Sequence, residues 1–439
     1  MTNTNSQRVV ITGMGVVSPL GCEPDTLWEN VAAGRSSIAP LKAVPGSALP
    51  IKHGSEANDF TGAIEDYGPL DNQLKRAIKK NMKVMCREIE MGVAAAQKAL
   101  THCNFPESER TPERCGVLFG CDYILTRPEE YADGVQSCRD EAGEFHIERW
   151  PTLGLPKVNP LWLLKYLPNM PNSHVAIYND FRGPNNSLTV REASFGLSLA
   201  EAAAIIARGQ ADLMIVGATG TRIHPLRTMH TVLIEKLAAD REDPSTTARP
   251  FSRDCDGGVI GEGAGALVIE SLEHAERRGA KIHGEILGTG SAMVGPKGER
   301  DFLRQAVASA VGKSLNAAGC RLPAEFHIHA HGLSDPRADR SEAAGIADAL
   351  KGIGRDMPVT AAKSYFGNLG AGSAVVEMIL SLAAIRQGKL FPIRNLTEPV
   401  AEATWRAATA SDSAGDAVAH ISYTLQGQAA SMVLGRGPN

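Results

Sequence analysis

The feature that most constrains the fold is a repeated alternation between short apolar runs and alanine-rich segments of helical periodicity. The first run, at 8–12, ends in a Gly-Met-Gly turn, and a helical pattern over 25–33 follows Pro24. Strands that alternate with helices predict an α/β fold with a largely parallel sheet. The other strand-like runs lie at 115–120, 212–217, 263–270, 326–331 and 418–423, and the long helical patterns at 88–100, 193–208, 302–318 and 375–387.

Two interruptions divide this pattern. Residues 122–182 hold two of the four tryptophans with several prolines and weak periodicity, which indicates an irregular insertion over one end of the sheet. Near Pro250 a loop-like segment joins two strand-helix halves of comparable length. We therefore predict an N-terminal half over 1–250 and a C-terminal half over 251–439, packed face to face.

Charge and length exclude several classes of function. The 439-residue chain has a net charge of −4 with acidic and basic residues interspersed, which leaves no basic surface for nucleic acid or anionic membrane. No apolar run reaches the roughly 18 residues of a membrane span, and the first residues lack a signal-peptide pattern, so we expect a cytoplasmic protein. The eight cysteines form no CxxC pair, and we predict no disulfide framework, metal or cofactor.

Six segments in chain order carry a resemblance to a known family. They are RVVITGMGVVSPLG, RGPNNSLTV, ARGQADLMIVGAT, RPFSRDCDGGVIGEGAGALVIESLEHAERRGAKIHGEILG, HAHGLSDPRADRSEAAGI and AAKSYFGNLGAGSAVVE. Together they resemble the β-ketoacyl-[acyl carrier protein] synthase II family and related polyketide ketosynthases, over nearly the whole chain. The resemblance implies a thiolase-like fold, in which two similar α/β halves form a five-layer αβαβα arrangement.

The resemblance also implies an active site. In the family, a cysteine on the turn between a strand and a helix accepts the acyl chain as a thioester. Two histidines, oriented by a lysine and a glutamate, help to expel carbon dioxide from malonyl-carrier protein. Counting back from Arg208, the cysteine position falls on Glu192. A carboxylate cannot store an acyl group as a thioester, but before a helix N-terminus it is a favourable structural charge, with Arg191 as a candidate partner.

The histidine part of the site is partly retained. His331 matches the first family histidine, and the lysine and its acidic partners correspond to Lys363, Asp339 and Glu342. Asn368 takes the place of the second histidine. An amide can form hydrogen bonds but cannot exchange a proton near neutral pH, so this half of the chemistry is also predicted to be impaired.

Two further groups of positions depart from the family. Leu333 and Asp335 stand where two threonines bind the pantetheine arm, so hydroxyl donors are replaced by an apolar group and an anion. The family's glycine-rich loop, one wall of the oxyanion hole, corresponds here to the segment from Tyr423 to Gly427. The loss of glycines there removes conformational freedom that the loop needs.

All of these departures fall on the active site, whereas the surrounding framework segments are intact. This pattern resembles the chain-length factor, or ketosynthase β subunit, of type II polyketide and polyene systems. The resemblance implies a non-condensing subunit that forms a heterodimer with a catalytic ketosynthase, with acyl carrier protein as a further candidate partner. In the best-known chain-length factors glutamine replaces the cysteine, so Glu192 is a variant of that pattern.

Other interpretations of the same residues remain open. Ser194 is an alternative nucleophile, with His331 as its base, in an acyltransferase; His331 is also a candidate for assisting malonyl decarboxylation. As a residue of the first helical turn, Ser194 would instead make local hydrogen bonds. His327, His329 and His331 alternate along an apolar run, which is typical of one packed strand face or of a metal site; we prefer the packed strand.

Overall fold

The large sheet of this protein carries helices on both of its faces, as the sequence predicts for an α/β fold. A computed structural model describes residues 7–44, 49–296, 301–351, 353 and 356–438. Among these residues there are one eleven-stranded sheet and one two-stranded sheet. The runs and helical patterns of the sequence correspond to strands and helices of similar extent, which confirms the predicted fold class.

The strands are β1 Val9–Val17, β2 Ala39–Pro40, β3 His53–Gly54, β4 Cys115–Cys121, β5 Asn185–Thr189, β6 Leu213–Thr221, β7 Glu262–Ser271, β8 Gly284–Met293, β9 Phe326–His329, β10 Pro358–Thr360, β11 Arg406–Ala407, β12 Ala417–Tyr423 and β13 Gln428–Gly435. The α-helices are α1 Pro24–Ala32, α2 Asn72–Asn81, α3 Arg87–Cys103, α4 Ala132–Ser137, α5 Met170–Asn179, α6 Ser194–Ala207, α7 Pro225–Ile234, α8 Leu272–Arg277, α9 Phe302–Ala318, α10 Pro336–Leu350, α11 Lys363–Phe366 and α12 Ser373–Gln387.

The large sheet consists of two sets of strands with the same order. One set runs β1-β7-β6-β4-β5 and the other β8-β13-β12-β9-β10, and in each set the outer three strands are parallel and the first two pairings antiparallel. The two-residue β11 extends the second set by pairing parallel to β10. The two sets join where β1 pairs with β8, with Val10 opposite Glu285. By its pairing β7 belongs to the first set, although it follows residue 250; the division at that residue stays a prediction.

Helices separate the two sets of strands and cover them outside. The buried helices α6 and α12 lie between the sets, because α6 contacts both β4 and β13 and α12 contacts both β7 and β12. On the outer faces α3 and α5 cover the first set, and α9 covers the second, with α10 packed against α9. This is the predicted αβαβα order. Parallel strands covered on both faces account for the continuous apolar runs of the sequence.

Glycine pairs let the outer helices approach β1 and β8 closely. A Cβ atom on Gly15 would lie 2.1 Å from the carbonyl oxygen of Ala95 in α3, and one on Gly290 would lie 2.1 Å from that of Ala310 in α9. Both distances are far below van der Waals contact, so only glycine fits. The Gly-Met-Gly of the first strand therefore serves helix packing, and the same device recurs in the second set.

One predicted strand is too long. Pairing of β9 with β10 and β12 stops at His329, whereas the sequence pattern continues to residue 331. The backbone N–H of His331 donates to the Glu342 carboxylate, 2.6 Å, instead of to a neighbouring strand. His327, His329 and His331 therefore do not share one strand face.

The segment 122–182 consists mainly of short helical turns, but it also contains the ten-residue α5, which the sequence analysis did not anticipate. Trp150 and Trp162 both make edge contacts with Tyr131, with ring centroids 6.2 and 5.3 Å away. None of the helices in the described ranges has the length and hydropathy of a membrane span, and no group of three or more potential metal ligands occurs among those residues.

Candidate active site

The candidate residues follow the carboxyl ends of parallel strands. Glu192 lies between β5 and α6, Arg222 directly follows β6, His331 follows β9 and Lys363 follows β10. In open α/β sheets this edge is where ligands usually bind. A hydrogen bond from Asn368 Nδ2 to Glu192 Oε1, 3.2 Å, joins the two halves of the site.

The turn that presents Glu192 is strained. Arg191 has φ 51°, a left-handed conformation that costs a residue with a side chain about 1–2 kcal/mol. A single 3₁₀ turn over Arg191–Ala193 then leads into α6 and buries the Glu192 side chain. Strain of this kind persists only where the surrounding structure enforces it. The sharp strand-to-helix turn is therefore present, with a carboxylate at the position where the resemblance places the family's cysteine.

The Glu192 carboxylate is held by a buried guanidinium. Arg222, which is 1% exposed, donates through Nη2 to Glu192 Oε1 and through Nη1 to Glu235 Oε2, the latter at 2.8 Å. Arg191 Nε lies 3.7 Å from Glu192 Oε2, so the predicted partner is near but is not the main one. Burial alone would raise the pKa of Glu192, but Arg222 and Arg191 outweigh it and hold that pKa well below its usual range.

These contacts belong to a larger group of charges that we call the ion-pair cluster. Arg191 donates to Glu235 and lies 3.8 Å from Asp122, and Arg227 also donates to Asp122. Three guanidinium groups and three carboxylates therefore neutralise one another beneath the surface. The ion-pair cluster consists of Asp122, Arg191, Glu192, Arg222, Arg227 and Glu235.

Lys363 has a different acidic partner from the one predicted. Its Nζ donates to Glu377 Oε1 at 2.6 Å and to His331 Nδ1 at 2.9 Å. Glu377 Oε2 in turn lies 2.9 Å from His420 Nε2. Glu377 is a lone acidic residue in the apolar sequence of α12, and a buried acid in such a helix indicates a buried cationic partner.

The contact with Lys363 determines the form of His331. Because an ammonium group only donates, His331 Nδ1 accepts, and the neutral imidazole carries its proton on Nε2. Burial, and then the neighbouring Lys363, hold the pKa of His331 well below its usual range. Within the described part of the chain His331 Nε2 is buried and has no hydrogen-bond partner. The site thus keeps one neutral donor with a free N–H.

Asp339 and Glu342 hold the backbone after β9 instead of pairing with Lys363. Glu342 accepts from the backbone N–H groups of His331 and Gly332 at 2.6 and 2.8 Å. Asp339 accepts from those of Leu333 and Phe251 at 2.9 and 2.7 Å. Burial raises the pKa of Glu342 to about 7 and that of Asp339 well above its usual range.

The other two groups of predicted positions have structural contacts. Asp335 caps α10, accepting from the N–H groups of Arg337 and Ala338 at 2.9 and 2.8 Å, and Leu333 is buried. Tyr423 ends β12, and its hydroxyl donates to Glu342 at 3.2 Å.

At the other end of that segment, Gly427 has φ 92°, and a Cβ there would lie 2.1 Å from the carbonyl oxygen of Val294. Leu425 lies between Tyr423 and Gly427, in the tight turn from β12 to β13. The segment from Tyr423 to Gly427 is therefore a compact hairpin turn that keeps one glycine where only glycine fits.

Ser194 uses its hydroxyl locally. Its Oγ donates to the carbonyl oxygen of Cys121 at 2.9 Å and accepts from the N–H of Val190 at 2.8 Å, and the residue is fully buried. His327 and His329 also have protein partners: His327 Nδ1 lies 2.7 Å from the Ala414 carbonyl oxygen and His329 Nδ1 lies 2.7 Å from Ser381 Oγ.

Comparison with protein-family models identifies the chain. The model "Beta-ketoacyl synthase, N-terminal domain" matches residues 6–275, and the model "Beta-ketoacyl synthase, C-terminal domain" matches residues 283–397. The chain belongs to the β-ketoacyl synthase family. The thiolase-like fold that the sequence resemblance implied is thereby confirmed.

Curated relatives support the family over almost the full length. The chain is 31% identical over 399 residues to 3-oxoacyl-[acyl-carrier-protein] synthase 2 of Coxiella burnetii, covering 90% of this chain and 89% of the relative. It is 29% identical over 404 residues to the protein of the same name from Synechocystis sp., covering 91% and 90%.

Solved structures agree in fold. The ishigamide ketosynthase/chain length factor matches with TM-score 0.80 and 22% identity over 99% of this chain and 100% of its own. A β-ketoacyl synthase from Burkholderia phymatum matches with TM-score 0.82 and 24% identity over 98% and 100%. At these identities the two structures support the β-ketoacyl synthase fold alone.

The structure also shows two site residues that the sequence did not predict. Arg222 and Glu235 lie 30 and 43 positions after Glu192, beyond the reach of any local pattern. The sequence does carry one indication of the role of Arg222. An arginine directly after the buried strand β6 needs a buried counter-ion, so its position indicates a buried ion pair.

Proposed function

We propose that this chain is a non-condensing subunit of chain-length-factor type. It would act in the cytoplasm and pair with a catalytic β-ketoacyl-[acyl carrier protein] synthase in polyketide, polyene or fatty acid biosynthesis. The observation that carries the proposal is the buried, ionised carboxylate of Glu192 on the strained turn before α6, bound by Arg222. Acyl carrier protein is a further candidate partner of the pair.

Glu192 is unsuited to the first step of condensation. That step requires a thiolate to attack an acyl thioester and form a new thioester. A carboxylate would form an anhydride, which water destroys. The Glu192 oxygens are also engaged by Arg222 and Asn368, and the low pKa of this carboxylate marks it as a stabilised ion and a poor nucleophile.

The second half of the reaction is also impaired. Asn368 stands where the resemblance places the second histidine, and its side chain is fixed by three contacts. Its Nδ2 donates to Glu192, and its Oδ1 accepts from Gly370 N at 3.0 Å and Ser373 Oγ at 3.1 Å. With only His331 left as a neutral donor, the site lacks the histidine pair that the family uses on malonyl thioesters.

The partner role draws its support from the fold and from the selectivity of the changes. The framework of both halves is that of a β-ketoacyl synthase, whereas the departures concentrate at the sheet edge. A structurally similar protein is a ketosynthase/chain length factor. A second subunit that retains the cysteine would supply the chemistry that this chain lacks.

Co-expression with a cysteine-bearing synthase encoded beside this chain tests the proposal. We expect a stable one-to-one complex by size-exclusion chromatography with light scattering. After incubation with acyl-carrier protein, intact-protein mass spectrometry should show acyl mass on the synthase and none on this chain. The S194A variant is the matched control for acylation at the alternative nucleophile. A self-paired or monomeric chain in the presence of the synthase, or acyl mass on this chain, would contradict the proposal.

One observation favours a second candidate function. His331 Nε2 is a buried N–H at the site without a partner among the described residues, and it is available to donate to the carbonyl oxygen of a malonyl thioester. We therefore infer malonyl-carrier-protein decarboxylation as the alternative function. Release of carbon dioxide from malonyl-carrier protein by the wild-type chain, lost in H331A and kept in H327A, would support it.

A further inference from the structure

Two cavities lie in line above the candidate site and differ greatly in size. The outer one, which we call the vestibule, has a volume of about 800 Å³. The inner one, which we call the inner cleft, has a volume of about 10 Å³, room for about one water molecule. Both are lined by Glu235, Lys236, Asp335 and Leu425, so the inner cleft continues the vestibule inward.

The inner cleft ends at the residues that hold Glu192. Its lining includes Arg222 and Asn368, both of which donate to Glu192 Oε1. Glu235 follows directly after α7 and binds Arg222 Nη1 at 2.8 Å. The Arg222–Glu235 ion pair therefore stands between the vestibule and Glu192.

The ion-pair cluster includes further buried charges beyond the Arg222–Glu235 pair. Arg227 and Asp122 are buried, 3% and 6% exposed, and the Arg227 guanidinium lies 3.8 Å from the ring centroid of Tyr123. The ion-pair cluster thus joins the ends of β4 and β6 to the strained turn and to α7. An apolar chain placed here would lie against buried charges and would have to separate them.

We propose that the ion-pair cluster is a plug. It closes the route from the vestibule to position 192 and leaves no space beside the strained turn for an acyl chain. The proposal rests on the proposed function and adds a second cause of inactivity: the site would stay closed even if a thiol replaced the carboxylate. Separation of the Arg222–Glu235 pair would break a buried ion pair without supplying new partners for the two charges, which opposes entry of a thioester arm.

A cysteine introduced at position 192 reports on the plug. In the E192C variant of the full chain, Arg222 keeps Glu235 as its partner. The purified variant is treated with iodoacetamide and separately with N-octyl iodoacetamide, and peptide mass spectrometry follows each thiol. The native Cys320 is exposed and serves as the internal reference. We expect the new thiol to react at least about tenfold more slowly than Cys320 with both reagents, because the fold must open first.

Removal of the plug provides the decisive comparison. In E192C/R222M/E235Q the new thiol should react at least about tenfold faster than in E192C, and the octyl reagent should now modify it. The matched control, E192C/R278M/E270Q, removes a buried ion pair at the opposite end of β7, where Arg278 Nη2 lies 2.6 Å from Glu270 Oε1. This control should react like E192C, which would separate a local opening from general loosening.

Two results would overturn the plug. One is a reaction of the new thiol in E192C as fast as that of Cys320; the other is an equal rate in E192C and the plug-free variant. If the triple variant does not give a cooperative thermal transition, E192C/E235Q, which keeps Arg222, tests the same closure. These measurements use no synthase and no carrier protein. They can therefore contradict the plug while the partner role is supported, and the co-expression test can contradict the partner role while the plug is supported.

Discussion

The two halves of the site share one strand order, but Glu192 in one and Glu342 in the other are buried carboxylates stabilised in opposite ways. In the N-terminal half Glu192 is paired with Arg222, and its pKa is held low. In the C-terminal half Glu342 is held by backbone N–H groups, and burial raises its pKa to about 7. The comparison teaches that the same framework supports a permanent ion on one side and an acid that titrates near neutral pH on the other.

The difference has a functional meaning. The C-terminal half contains the Lys363–Glu377 pair and a neutral His331, and the resemblance places the lysine and the first histidine of the family site at Lys363 and His331. In the N-terminal half a buried ion and its counter-ions occupy the position where the resemblance places the nucleophile. Departures from the family pattern occur in both halves, at Glu192 and at Asn368, but their surroundings differ, so the two sides should respond differently to substitution.

Loss of the counter-ion should have the largest effect. The R222M variant leaves the Glu192 and Glu235 carboxylates without their shared guanidinium, and removal of one partner of a buried ion pair costs about 3–5 kcal/mol. Urea denaturation monitored by circular dichroism measures the change in the free energy of unfolding. In E192Q/R222M, which also neutralises the acid, part of this loss should return.

The Lys363–Glu377 pair of the C-terminal half provides the comparison for R222M. K363M should cost less than R222M, because Glu377 keeps its hydrogen bond with His420. A loss below about 1 kcal/mol in R222M, the range of exposed ion pairs, would mean that Arg222 is not the buried counter-ion of Glu192.

The pH dependence of stability should differ in sign between the halves. The lowered pKa of Glu192 gives a stabilising contribution that is complete above about pH 4.3, the unfolded value, and is lost as the pH falls below it. The raised pKa of Glu342 gives a contribution that is complete below about pH 4.3 and is lost as the pH rises through 7, a change of about 4 kcal/mol.

Unfolding free energies of the wild type, E192Q and E342Q over this range measure both contributions. The wild type should lose its advantage over E192Q only on the acid side, and its advantage over E342Q should decline between about pH 4.5 and 7.5. Parallel profiles for all three proteins would contradict the assigned environments.

The smallest effect is expected at Ser194. Its hydroxyl makes two local hydrogen bonds, so S194A should lose about 1 kcal/mol of stability and leave acyl labelling unchanged. S198A is the matched control on the same helix, because the buried Ser198 hydroxyl has no hydrogen-bond partner in the described part of the chain. S198A should lose less stability than S194A. Acyl mass on the wild type that disappears in S194A would instead support the acyltransferase interpretation.

The apolar runs and helical patterns of the sequence predicted most of the strands and helices. The apolar runs predicted β4, β6, β7 and β12 within a few residues, because strands buried on both faces leave a continuous apolar signature. The error at His331 has a physical cause: the apolar pattern continues past the strand, but the backbone there bonds to Glu342 instead of to a neighbouring strand. Sequence periodicity cannot distinguish these two partners.

The sequence by itself determined the strand-helix order, the β-ketoacyl synthase family and the presence of Glu192 where the resemblance places a cysteine. Each of these depends on residue identity or on neighbours within a few positions. Only the tertiary structure decided that Arg222, which also pairs with Glu235, is the buried counter-ion of that carboxylate, and that Glu377 is the partner of Lys363. Ion pairs between separate strand ends depend on how the chain returns to the same sheet edge, and no local pattern encodes that geometry.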